Sequence, residues 1–148
     1  MEISLIILSD TTTQDLSLRQ KVLEYQIEKE VLFLGTIKES EKYFYYTQSR
    51  AVIYPSIYES FCFDFISALS YGVPLLANEL KSTREIFGDS IHYVNFLSPY
   101  RAAERIEIFL ASGEQRRDYS EIFQDLSPTK SLQQFFAITG IEQLEKNS

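Results

Sequence analysis

The sequence predicts an α/β domain in three layers, with a parallel β-sheet covered on both faces by helices. Short apolar runs rich in β-branched residues alternate with segments of about ten residues whose apolar positions recur at helical spacing. The runs end at Gly, Pro, Ser or Asp, and no internal repeat, low-complexity tract or interdomain linker breaks the alternation. Strand–helix–strand units of this kind require right-handed crossovers and therefore a parallel sheet.

The first run, Ile3-Ser4-Leu5-Ile6-Ile7-Leu8, ends at Ser9-Asp10 and reads as a buried parallel strand. A helix follows, with Thr13 or Asp15 to cap it and a broad apolar face of Leu16, Leu18, Val22, Leu23 and Ile27. Val31-Leu32-Phe33-Leu34 is the second strand, stopped by Gly35. Glu39 to Ser49 is a helix whose Tyr43, Phe44, Tyr46 and Thr47 pack an aromatic face on the sheet, with Tyr45 pointing away towards a partner. Ala51-Val52-Ile53-Tyr54 forms the third strand, closed by Pro55-Ser56, and Phe61 to Tyr71 the next helix, ending at Gly72 where a helix exit wants positive φ. Pro74 to Ala77 is the fourth strand, Ser82 to Phe87 a short helix, and Ile91 to Val94 the fifth strand. From Pro99 the pattern is helical, with Ala102, Ala103, Ile106, Phe109 and Leu110 on one face, then Tyr119, Ile122 and Phe123 on another segment. Residues 128–148 read as a C-terminal helical segment of the same single domain 1–148, with Leu132, Phe135, Phe136, Ile141 and Leu144 on an apolar face that expects a covering partner, a second copy among them.

Composition narrows the function. At 148 residues, 45% hydrophobic and 24% charged, the chain suits one domain with a full core. A formal charge of −7 with no basic stripe excludes a nucleic-acid partner. One cysteine excludes an internal disulfide framework, and no signal sequence or long apolar span is present, so the chain reads as cytoplasmic, compatible with a peripheral place at the inner face of the membrane. No cofactor and no metal are expected.

In an open parallel sheet, ligands bind outside the carboxyl ends of the strands. The informative loop is Tyr54-Pro55-Ser56-Ile57-Tyr58-Glu59-Ser60-Phe61-Cys62-Phe63, which leads from a strand into a helix whose free N–H groups suit a phosphate.

This stretch resembles family 4 (group 1) of the retaining glycosyltransferases, whose pattern runs roughly Pro-Ser-x-x-Glu-Gly-Phe-Gly-Leu-Pro-x-x-Glu-Ala-Met-Ala-x-Gly-x-Pro-Val. Pro55, Ser56, Glu59, Phe61, Ala68, Gly72 and Pro74 fall at matching positions, flanked by Phe33-Leu34-Gly35, Glu85-Ile86 and Gly88-Asp89, so that the resemblance covers residues 3 to 125. It implies a Rossmann-like domain equivalent to the C-terminal, nucleotide-sugar-binding half of a two-domain (GT-B) enzyme. It further implies that Glu59 is the catalytic carboxylate that reaches the donor sugar, that Ser60, Phe61, Cys62 and Phe63 bind the diphosphate through backbone N–H groups, and that Thr36 and Ile37 frame the base. Hexosyl transfer from a nucleotide-sugar to a glycan or lipid, with retention, is the implied activity.

The departures point to an incomplete or degenerate donor site. Ser67 stands where the family's second glutamate grips the ribose, and Ser60 and Cys62 replace glycines that let the backbone approach the phosphates. The family's domain begins with a strand–helix unit carrying an Arg and a Lys; this chain starts one unit later, and no Lys or Arg occurs between Arg50 and Lys81. A helix end supplies about 2 kcal/mol at best, against the roughly 8 kcal/mol of micromolar binding. Weak donor binding, an inactive isolated chain and a missing N-terminal domain or partner chain are the expectations. The competing reading is a non-catalytic interaction or regulatory subunit related to these enzymes. A flavodoxin-like phosphoacceptor is rejected, because Pro55-Ser56 follows the third strand where an Asp is needed. Cys62 reads as packing rather than a reactive thiol, His92 as a core or edge residue, and Glu114 to Asp118 as a solvated helix start.

Overall fold

The computed structural model describes residues 4–8, 13–57 and 63–125, and the C-terminal segment 128–148 lies outside them. The order is β1 (Leu5–Ile7), α1 (Thr13–Glu24), β2 (Val31–Phe33), α2 (Glu39–Gln48), β3 (Val52–Tyr54), α3 (Phe63–Ser70), β4 (Leu75–Ala77), α4 (Lys81–Phe87), β5 (His92–Tyr93), α5 (Pro99–Ser112) and α6 (Ser120–Asp125). Each strand is the centre of an apolar run, and each pairing is parallel, as the alternation requires. The chain divides within α2 into two compact units, Met1–Tyr45 and Tyr46–Ser148.

The first unit is one βαβ turn, with Leu5, Ile6 and Ile7 of β1 in register with Val31, Leu32 and Phe33 of β2. The expectation of a buried first strand is corrected here, since Leu5 and Ile6 are exposed. So is the broad apolar face of α1: Val22 is buried, whereas Leu16, Leu18, Leu23 and Ile27 are exposed. A two-stranded sheet with one crossover helix offers too little surface to bury more. The aromatic face of α2 is split in the same way. Tyr43 and Phe44 are exposed and Tyr45 is half-buried, while Tyr46, which begins the second unit, is buried within that unit against Ala68 and Val73.

The second unit holds the core. β4 lies between β3 and β5, with Val52↔Leu75, Ile53↔Leu76 and Tyr54↔Ala77 on one side and Leu76↔His92 and Ala77↔Tyr93 on the other. Leu75, Leu76 and Ala77 are fully buried, as a central parallel strand must be. On one side Phe65, Leu69, Leu75, Phe87 and Ile91 pack with Tyr119 and Ile122; on the other Leu76 and Val94 pack with Ala102 and Phe109 of α5. The α5 stripe follows the expected spacing except at Ala103, which faces solvent.

The turn between α3 and β4 depends on Gly72, at φ +73°, whose missing side chain makes room for the Arg117 main chain: a Cβ there would sit 2.9 Å from the Arg117 carbonyl oxygen. The Arg117 N–H donates to the Gly72 carbonyl at 3.2 Å. Beside it the Arg116 guanidinium donates to the carbonyls of Tyr71 (2.8 Å), Ser49 (2.9 Å) and Tyr46, satisfying main-chain acceptors at the ends of two helices. The predicted solvated helix start at 114–118 is thus a main-chain staple. His92 lies in β5 as expected, half-buried, with its ring against Phe109 and its Nε2 2.9 Å from the Glu114 carboxylate.

Candidate functional site

Because β3, β4 and β5 run parallel, their carboxyl ends share one edge, from which leave the segments 55–57, 78–80 and 94–97. The three are tied together by one side chain. Asn78 is 6% exposed. Its Nδ2 donates to the carbonyls of Pro55 (2.9 Å) and Ser56 (2.8 Å), and its Oδ1 accepts from the Phe96 N–H at 3.0 Å. The Asn78 carbonyl in turn accepts from the Thr83 hydroxyl at 3.1 Å, so the start of α4 is drawn into the same cluster. Asn78 therefore ties residues 55–56, at the end of β3, to the segments that follow β4 and β5.

The start of α3 is tied to β3 separately. Tyr54, the last residue of β3, donates its phenolic O–H to the Asp64 carboxylate at 2.6 Å, in the first turn of α3. An acidic side chain here complements the helix dipole, but it also places negative charge where a donor diphosphate is expected.

A cavity of about 460 Å³ opens at this edge, bordered by Ile57, Asn78, Glu79, Leu80, Asn95 and Leu97. The Tyr93 ring forms another part of its wall and lies under the Arg84 guanidinium at 3.9 Å. The Tyr93 hydroxyl donates to the Gly88 carbonyl at 2.8 Å. Burial holds this phenol above its ordinary range, with the nearby guanidinium pulling the other way. Arg84 itself is held protonated, first by its hydrogen bond to Glu79. A larger cavity, about 570 Å³, lies at the opposite edge beside Gly72, Arg116 and Tyr119. Its two arginines are engaged with main-chain carbonyls of Tyr46, Ser49, Tyr71 and Ser90. It is therefore a structural joint, on the wrong edge for strand-end chemistry.

Of the residues the sequence singles out, Glu59, Ser60, Phe61 and Cys62 lie outside the described residues. Phe63 is the first residue of α3. Ser67 sits half-buried in the same helix, between inward-facing Phe65 and Ala68. Thr36, exposed, and Ile37, half-buried, follow the carboxyl end of β2 in the first unit. Sequence reasoning missed Asn78 and Asp64. A polar residue directly after a fully apolar strand is the signal that could have found Asn78. Among the described residues no group of three or more His, Cys, Asp or Glu could hold a metal ion, and no helix is long and apolar enough to cross a membrane.

Comparison with known proteins agrees with this layout. The family described as glycosyl transferases group 1 matches residues 3–125. The O-antigen chain mannosyltransferase RfbU of Salmonella typhimurium is 29% identical over 92 residues, 62% of this chain and 26% of that protein. The O-antigen chain mannosyltransferase B of Escherichia coli is 32% identical over 60 residues, 40% of this chain and 16% of the other. Matches thus span about a quarter or less of these curated relatives. In fold, the chain resembles a sucrose-phosphate synthase from Thermosynechococcus elongatus, with a TM-score of 0.68 at 20% identity over 91% of this chain and 39% of that one. The Rossmann-like fold expected of half a GT-B transferase is the fold observed. The match over most of its length places this chain in the glycosyl transferases group 1 family.

Proposed function

We propose that the chain is the donor-binding half of a retaining hexosyltransferase, acting on a nucleoside-diphosphate sugar and a glycan or lipid acceptor in polysaccharide synthesis, at the cytoplasmic face of the membrane. The observation that carries this reading is the Asn78 clamp, which holds Pro55 and Ser56, shortly before Glu59 in the sequence, at the shared carboxyl edge of the sheet. In this reading Glu59 orients the donor sugar, and the backbone N–H groups of Ser60, Phe61, Cys62 and Phe63 receive the diphosphate as the sugar–phosphate bond breaks and the acceptor oxygen bonds to the same face of the anomeric carbon. Thr36 and Ile37 frame the base, and Ser67 faces the ribose with a hydroxyl in place of a carboxylate. The names of the two mannosyltransferase relatives favour mannose as the transferred sugar.

Affinity is expected to be low. No Lys or Arg occurs between Arg50 and Lys81, and Asp64 adds a negative charge at the start of α3. The remaining cations and the acceptor site would come from a further domain or a partner chain. Asp64 also favours a second reading, in which the chain is a non-catalytic subunit of a true transferase. Titration calorimetry with uridine- and guanosine-diphosphate sugars, paired with amide NMR, separates these outcomes. Millimolar binding that shifts Thr36 and Ser67 supports a weakened donor site. Micromolar binding would overturn the degenerate-site argument, and no shift at either position with any donor would leave the non-catalytic reading.

A further inference from the structure

Among the described residues β3 is paired on one side only, whereas β4, at the centre of the same sheet, is paired on both. The Val52 N–H donates to the Pro74 carbonyl at 2.9 Å, towards β4, with Val52 in register with Leu75. Alternate residues of a parallel strand address opposite neighbours, so the N–H and C=O of Ile53 point away from β4. Neither meets a partner among the described residues. Burial drops across the same line: Leu75, Leu76 and Ala77 are fully buried, while Val52, Ile53 and Tyr54, their partners in register, are half-buried. Val52 and Tyr54 pack on the cluster of Phe65 and Leu69, and Ile53 on that of Leu76 and Phe109, so apolar layers flank this edge on both faces. No charged residue or proline interrupts the run Ala51 to Tyr54. The other outer strand, β5, is guarded: it is two residues long, Arg84 lies over its Tyr93 ring at 3.9 Å, and its His92 meets Glu114.

Such an edge specifies its occupant. A main-chain donor and acceptor presented side by side are met by an extended backbone, which a helix, its own groups already paired, does not offer. Apolar layers on both faces call for side chains that are apolar in both directions, the composition of a strand buried in a parallel sheet. Every pairing in this sheet is parallel. We propose that the outer edge of β3 takes a parallel, apolar β-strand donated by a partner polypeptide. The Ile53 N–H donates to one carbonyl of that strand, and the Ile53 carbonyl accepts from an N–H two residues further along it. A transferase of this kind has polypeptide to supply the strand, since the stretch shared with the Salmonella typhimurium mannosyltransferase is 26% of that protein. Identifying the partner with the polypeptide that completes the transferase rests on the proposed function; the need for a strand does not.

Hydrogen exchange read by amide NMR on the whole chain tests this, with the peptide acetyl-Lys-Lys-Val-Ile-Val-Ile-Val-Lys-Lys-amide as probe. The control is the same peptide N-methylated throughout its apolar run, which keeps every side chain and loses the backbone donors. The Ile53 amide is expected to exchange fast in the free chain and about tenfold more slowly at a peptide concentration about ten times its Kd. The Val52 amide, bonded to Pro74 throughout, should hold its rate, and the methylated peptide should protect neither. A nitroxide on the amino end of the peptide should broaden the Arg50 and Ala51 amides; broadening at Ser56 and Ile57 instead would mean an antiparallel strand and overturn the pairing. The proposal is overturned as well if the peptide leaves Ile53 unprotected or if the methylated peptide protects it equally. Protection already present in the dilute free chain would overturn it in favour of the chain's own residues, and protection that grows with protein concentration alone in favour of a second copy. Peptide protection of Ile53 with no nucleotide shifts at Thr36 and Ser67 would spare the strand site and sink the transferase reading. Nucleotide shifts at those two residues with Ile53 indifferent to the peptide would do the reverse.

Discussion

Replacing Asn78 by Ala removes three hydrogen bonds at once: two donated to Pro55 and Ser56 at 2.9 and 2.8 Å, and one accepted from Phe96 at 3.0 Å. Each contributes about 1 kcal/mol net, and the side chain is 6% exposed, so water replaces the lost partners poorly; about 3 kcal/mol of destabilisation is expected. Asn78→Asp is the sharper probe. It keeps the shape and the oxygen that accepts from Phe96, but turns the donor into a second carboxylate oxygen facing two carbonyls. At neutral pH it should cost at least as much as Ala, because the lost donor is joined by like-charge contact in a dry site. Urea unfolding followed by circular dichroism measures both, read as a shift in midpoint at unchanged slope. A loss below about 1 kcal/mol for Asn78→Ala, or an Asp variant as stable as the parent, would refute the assignment of Asn78 as the clamp of this edge.

Three further outcomes follow from the same geometry. Gly72→Ala should cost about 2 kcal/mol or more in a thermal melt, because φ +73° is strained for alanine and its Cβ meets the Arg117 carbonyl at 2.9 Å. Arg116→Met keeps much of the stem but abandons the three carbonyls of Tyr46, Ser49 and Tyr71; about 1 kcal/mol is expected by urea unfolding, since the residue is exposed and water takes over part of the role. Burial raises Tyr93 above its ordinary value of 10.0, so the unfolded chain ionises first. The contribution of this group is complete below that value and is lost as pH climbs through the folded one, so the melting temperature should fall on the alkaline side. Tyr93→Phe should fall less, and the difference in tyrosinate absorbance should place Tyr93 late in the titration.

The second unit was legible in the sequence because its central strand is fully buried and its helices each turn an apolar stripe onto it. A run such as Pro74 to Ala77 has one way to be used, and its helices carry apolar stripes that land where expected, as Phe109 and Ile122 do. The first unit was legible in order but not in burial: Leu16 and Leu23 have the spacing of a core face, yet spacing says nothing of how much sheet exists to receive it. The strand-end loop stood out through its likeness to a family pattern, whereas its supports did not. Asn78 meets partners 23, 22 and 18 residues away, and Asp64 meets Tyr54 across ten. Such partners are set by the closing of the sheet, which no local spacing encodes.

The Arg116 contacts also bear on how the chain comes to be folded. The carbonyls of Tyr46, Ser49 and Tyr71 precede their common donor by 70, 67 and 45 residues. On a ribosome, the ends of α2 and α3 therefore emerge long before the guanidinium that satisfies them, and water must serve them meanwhile. The same delay holds for Gly72, whose open side waits for the Arg117 main chain. A nascent chain halted before residue 116 would have every strand of the second unit in hand and still lack the closure that makes their packing final. Arrest at lengths on either side of that point should then divide protease-sensitive from protease-resistant chains.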